Sequence, residues 1–229
     1  MSNTFDFLVG CSFTDPRWQV EIPWSVEYSK IHPSYIVAQA GMGIKGICTE
    51  AVSYLETLPN ISKAIIILPT LWRLDVEMDQ ETYLCNAMTD LLVANGNWKT
   101  AELAKRKWIV SGGLHYDRSS EHATLFDFLY KHQGFLVIAK EHCRALKVLI
   151  NYCKERKIQY YISAIQDPLD QLLELNFIKD EIVNLLESVE YNHWFKFDNK
   201  FINKFLGHNR HPTTVEHQLL CKHIIDITG

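Results

Sequence analysis

The sequence predicts an α/β fold: three layers, α/β/α, around a mostly parallel sheet, with an insertion after the third strand. Two observations carry this. Short apolar segments alternate with longer amphipathic ones at least four times, the pattern of strands joined by helical crossovers. One of them, Ala64-Ile65-Ile66-Ile67-Leu68, is uninterrupted and rich in β-branched residues, as expected of a parallel strand covered on both faces.

The elements follow in order. Residues 5–10 are short and apolar and end in Gly10, which suits a buried strand entering a tight loop. Residues 24–31 read as a helix behind Pro23, a residue tolerated in a first turn. Residues 35–40 form the second strand, ended by Gly41-Met42-Gly43-Ile44-Lys45-Gly46. A helix runs on to Leu58, with Ile47, Ala51, Val52, Tyr54 and Leu55 roughly along one face. Residues 63–69 are the third strand.

The stretch from Thr70 to about Arg118 is less regular and reads as an insertion, with its body at about 74–118. A helix over 81–94 and a short strand over 107–110 are expected inside it. Residues 121–131 and 136–156 are helical by period and length. Residues 158–165 are the fourth strand. Helical segments follow from about 170 to 188, and an amphipathic helix over 215–227 closes the chain. With no internal repeat, low-complexity tract or Gly/Ser linker, a single domain over 1–229 is the simplest organisation.

Composition narrows the function classes. The chain has 229 residues, 47% hydrophobic and 22% charged, which is ordinary for a globular protein that buries its own core. The net charge is −4, so no phosphate-tracking surface is expected and nucleic acid is not a default partner. The longest apolar runs are too short to span a bilayer, and no basic region followed by an apolar stretch opens the chain. Six scattered cysteines with no CxxC pair read as free thiols in a reducing cytosol, not as a zinc site. A cytoplasmic protein with no membrane partner is therefore expected.

Ligands of open α/β sheets bind at the carboxyl ends of the strands. Five loops there are informative: Cys11-Ser12-Phe13-Thr14, the Gly41–Gly46 stretch, Thr70-Leu71-Trp72-Arg73, Gln166-Asp167-Pro168, and Gly207-His208-Asn209-Arg210-His211-Pro212 before the last helix. A serine hydroxyl needs a neighbouring base to become a nucleophile, and its reaction needs donors for the developing oxyanion. The first and last loops offer serine and histidine, and the second offers backbone amides. Arg73 suits an anionic substrate group, or pairing with Asp75 or Glu77.

These segments resemble the blocks of the SGNH (GDSL-like) hydrolase family, whose fold is flavodoxin-like. Gly10-Cys11-Ser12-Phe13-Thr14 is similar to its first block, Gly43 matches the oxyanion glycine of its second, and His208-Asn209-Arg210-His211-Pro212 is similar to its last. The third block is matched by Ile65 to Arg73 only in strand and position. With Trp18 soon after, the first block looks like versions in phage-encoded members. The resemblance implies Ser12 as nucleophile, His211 as general base, the amides of Ser12 and Gly43 as oxyanion donors, and Trp72 and Arg73 near the substrate. It implies no cofactor and no metal. The substrate would be a small-molecule or carbohydrate ester, such as an O-acetylated sugar. His208 stands where the family has the Asp that supports the base, Cys11 replaces the Asp of the first block, and the third-block Asn is missing. What remains is a Ser–His dyad, or a triad completed by Asp15, Asp167 or Asp198.

Other readings stay open. The chain fits a catalytically inactive SGNH-like module, structural or binding, associated with a virion. Gly41-x-Gly43-x-x-Gly46, after a strand and before a helix, has the form of a dinucleotide-binding turn. His217 is a rival to His211 as base, Cys11 a rival to Ser12 as nucleophile, and a His208–His211 cluster a metal candidate.

Overall fold

The computed structural model describes residues 4–15, 23–38, 41–71, 73–78, 90–94, 100–101, 107–110, 123–165, 184 and 212–229. The elements are β1 (Phe5–Gly10), α1 (Trp24–Ile31), β2 (Ser34–Ala38), α2 (Ile44–Thr57), β3 (Ile61–Leu68), β4 (Asp75–Met78), β5 (Asp90–Ala94), β6 (Thr100–Ala101), β7 (Lys107–Val110), α3 (Ala123–Glu155), β8 (Gln159–Ala164) and α4 (Thr214–Thr228).

The main sheet has the order β6-β5-β2-β1-β3-β8. Its centre, β2-β1-β3-β8, is parallel throughout, with Gly10 level with Ala38 on one side and Ile67 on the other. The uniform apolar runs have the expected cause: Phe7, Leu8 and Val9 of β1 and all of Ala64 to Leu68 in β3 are buried. α2 packs on α3, and α1 on α4. α3 is interrupted at Gly134, at φ 73°, between the two helices that the sequence separates.

One expectation fails. Residues 90–94 do not end a helix; they form β5, antiparallel to β2, and β6 pairs with β5 in turn. A short apolar run such as Leu91-Leu92-Val93 satisfies either period, and the open edge of β2 supplies ladder partners that a helix would forgo. The rest of that predicted helix, 81–89, lies outside the described residues, as does the helical stretch expected over 170–188 except for residue 184. The insertion therefore does two things. It lends an antiparallel edge to the main sheet, and it forms a separate two-stranded sheet of β4 and β7.

α4 is held at both ends. At its start, a capping box joins Thr213 and Glu216, and the buried His217 accepts the Trp24 backbone N–H through Nδ1 at 3.2 Å. At its end, Lys63 Nζ donates to the Thr228 carbonyl. Lys63 also lies 3.9 Å from Asp6, whose carboxylate accepts from Tyr28 Oη at 2.7 Å and Ser62 Oγ at 3.3 Å. Burial, then the Asp6 bond, drives the Tyr28 phenol above its ordinary range. Trp24 opens α1 and Asp6 lies near the start of β1. α4 thus runs alongside α1 with its first turn at the carboxyl end of the sheet.

Candidate functional site

β1 stops at Gly10 because the chain must turn at once. A Cβ at Gly10 would collide with Thr14 Oγ1 and sit 2.9 Å from the Ile67 carbonyl oxygen. The backbone then closes a single helical turn, with Thr14 and Asp15 both donating N–H to the Cys11 carbonyl at 2.9 Å. Ser12 lies in this turn and is only 4% exposed; Cys11, Thr14 and Asp15 are also buried. Cys11, wholly enclosed, reads as a core residue and not as a rival nucleophile. Ser25 Oγ donates to the Thr14 carbonyl at 2.8 Å, fastening the turn to the first turn of α1.

The same first turn of α1 receives α4. Pro23 provides no side-chain cap, and the His217 ring caps the Trp24 N–H in its place. His217 is therefore a structural acceptor in this arrangement. Ser12 and the start of α4 are joined by two buried hydrogen bonds through neighbouring residues, Ser25 and Trp24. His211 and His208 lie outside the described residues. His211 is covalently bonded to Pro212, two residues before α4 begins. Trp72, Asp167 and Asp198 also lie outside them, as does Trp18; Trp24 is core, fully buried.

The second loop differs from its expected use. The Gly43 N–H donates to Asp75 Oδ1 at 2.6 Å and the Gly46 N–H to Oδ2 at 2.8 Å, so one carboxylate caps the N-terminus of α2. The Gly43 amide is committed to Asp75 and is not offered as an oxyanion donor. A Cβ at Gly43 would lie 2.6 Å from the Arg73 carbonyl oxygen, so the loop is also pressed against the one after β3. Burial raises the Asp75 carboxyl to about 6, outweighing the two amide bonds and the nearby Arg73 and Lys45. Asp75 also fills the place where the Gly-x-Gly-x-x-Gly turn would hold a pyrophosphate.

Arg73, partly buried, donates from Nη1 to the Met42 carbonyl at 3.5 Å, while its buried Nε–H has no partner among the described residues. Lys45 pairs with Glu141 of α3 at 3.2 Å. His142, beside Glu141, is buried and bonded to the Leu71 backbone; burial, then Lys45, lowers its pKa to about 4 and keeps it neutral. Cys48, one turn into α2, is pushed well above its ordinary range by burial and by Asp75.

Asp75 and His142 are the residues that sequence reasoning missed as parts of this region. Asp75 had a faint signal, an acid shortly after the third strand and downstream of a glycine-rich turn. His142 had none. Among the described residues, no group of three or more His, Cys, Asp or Glu could hold a metal ion. Among them, too, no helix is long and apolar enough to cross a membrane. No protein-family model matches the chain, and no curated protein matches it significantly.

Proposed function

We propose that this chain is an SGNH-like serine hydrolase of three-layer α/β/α architecture that cleaves an ester, such as an O-acyl group on a carbohydrate. Ser12 Oγ attacks the ester carbonyl, His211 takes its proton and passes it to the leaving alcohol, and water then releases the acid by the same route. The Ser12 backbone amide serves the oxyanion. Location inside a host cell, with or without association with a virion, accompanies this reading.

The observation that supports it is the docking of α4. The His217–Trp24 and Ser25–Thr14 bonds bring the start of α4 to the turn that carries Ser12. His211 directly precedes Pro212, which lies two residues before the helix begins at Thr214. Asp15, buried in the same turn, is the nearest described carboxylate in sequence to complete a triad.

The test is labelling with a fluorophosphonate probe, read by intact-protein mass spectrometry. A single adduct that disappears in Ser12→Ala supports the hydrolase. No adduct on Ser12, while a control esterase is labelled, refutes it. That second outcome favours the other reading, a catalytically inactive SGNH-like module. The burial of Ser12 and the capture of the Gly43 amide by Asp75 speak for that reading.

A further inference from the structure

We propose that the Arg73 guanidinium is the binding group for a carboxylate on the substrate, so that the preferred ester carries a negative charge. This rests on the hydrolase reading of the Ser12 site. The sheet order β2-β1-β3 makes the crevice between the β1 and β3 loops a topological switch point, where ligands of such sheets bind. Ser12 lies in the turn after β1, and Arg73 follows β3, with its guanidinium reaching the Met42 carbonyl of the loop after β2.

The donors of Arg73 are arranged for an incoming acceptor. Nη1 spends itself on the Met42 carbonyl at the far limit of hydrogen bonding, 3.5 Å. Nε is buried and has no partner among the described residues. A buried donor without an acceptor is costly and calls for an occupant. Nε and Nη2 form the side edge of the guanidinium, two parallel N–H vectors that match the two oxygens of a carboxylate.

Asp75 is the acid positioned to neutralise this arginine, yet both its oxygens accept backbone amides of the α2 N-terminus. Lys45, the other described cation near Asp75, is paired with Glu141. One unspent guanidinium edge suits a monoanionic carboxylate better than a phosphate dianion, which would need a second cation.

Two esters of equal bulk near the carbonyl test this on the full-length protein: phenyl acetate, neutral, and phenyl hydrogen succinate, whose acyl chain ends in a carboxylate. The succinate ester should be preferred by about tenfold or more in kcat/KM, the gain appearing in KM. Arg73→Gln should abolish the preference, and Arg73→Lys should restore part of it through charge alone. Equal turnover of the two esters by the wild-type protein overturns the proposal and leaves the hydrolase standing. So does an Arg73→Gln variant that slows both esters equally through kcat.

If neither ester is cleaved, the hydrolase reading falls, and NMR titration with the same two compounds decides the rest. Arg73-dependent preference for phenyl hydrogen succinate keeps the carboxylate site. Indifference between the two removes it. Because the wild-type comparison needs no variant, misfolding of Arg73→Gln does not shelter the idea.

Discussion

Asp75→Asn isolates the energetics of the carboxylate that caps α2. In the folded chain this carboxyl is raised from 3.8 to about 6, chiefly by burial. Between those values the folded protein holds a proton that the unfolded chain has released. Stability therefore falls as pH rises through this window, by about 3 kcal/mol in all and by about 2 kcal/mol between pH 4.5 and 7.5. Asparagine keeps the size and one acceptor, but turns an NH2 toward one of the Gly43 and Gly46 amides, a penalty of about 1–3 kcal/mol that does not itself titrate. The assay is urea unfolding of both proteins from pH 4.5 to 7.5, with the variant subtracted from the wild type at each pH. The difference removes every other titrating group. It should shrink by about 2 kcal/mol across the series, a relative midpoint shift of about 1 M urea at an m-value of about 2 kcal/mol per molar. A difference that grows with pH would refute the reasoning. It would mean that the two amides and the helix N-terminus outweigh burial, holding the carboxyl below 3.8.

His142→Gln keeps a donor for the Leu71 carbonyl while removing a group lowered from 6.5 to about 4. Here the unfolded chain binds the proton first, so stability rises with pH over that window by about 3 kcal/mol; the wild-type-minus-variant difference in urea unfolding should show that rise. Asp75 and His142 oppose each other, so their two contributions should nearly cancel between pH 4.5 and 6.5. Gly10→Ala forces Cβ into Thr14 and the Ile67 carbonyl; a loss of about 1–3 kcal/mol by urea unfolding is expected, with probe labelling of Ser12 abolished. His217→Ala strands the buried Trp24 N–H and should cost about 1–3 kcal/mol plus a cavity penalty. In the same variant, Ser12 labelling should slow at temperatures where circular dichroism shows it folded. Millimolar nucleotide should leave the wild-type melting temperature unchanged, because Asp75 occupies the amides that a phosphate would use.

The parallel centre of the sheet was legible because burial on both faces leaves only one kind of sequence. Ile65-Ile66-Ile67 has no polar alternation to mislead, and Gly10 and Gly134 punctuate where the chain turns or breaks. β5 was not legible. Leu91-Leu92-Val93 is too short for its period to decide, and its state is set by an edge of β2 that lies more than fifty residues earlier. The site divides in the same way. Ser12, Gly43 and Arg73 could be placed at the carboxyl end of the sheet from strand order alone. The partner of the Gly43 amide could not, since nothing local to Gly41–Gly46 or to Asp75 tells which acid reaches which helix. The partner of His217 was not legible for a related reason. A histidine on the first turn of a helix looks available, and only the three-dimensional meeting of α1 with α4 shows that Trp24, which has no side-chain cap, needs its nitrogen.

The capture of Gly43 and Gly46 by Asp75 has a consequence for every use the glycine-rich loop was credited with. An oxyanion donor and a phosphate cradle both need the same N–H groups, and two anions cannot be served by them at once. A carboxylate tethered in the same chain competes at an effective concentration that a free ligand cannot match. The loop is therefore better understood as a clamp that joins α2 to β4 and holds Arg73 against Met42. On that view the glycines are retained for close approach, and the chemistry of the rim passes to side chains: Ser12 on one side of the switch point and the unspent edge of Arg73 on the other. On the proposed hydrolase reading, the Arg73 guanidinium takes a substrate carboxylate while the oxyanion is left to the Ser12 amide. On that proposal the charge of the ester, more than its acyl length, is the property expected to govern what the site accepts.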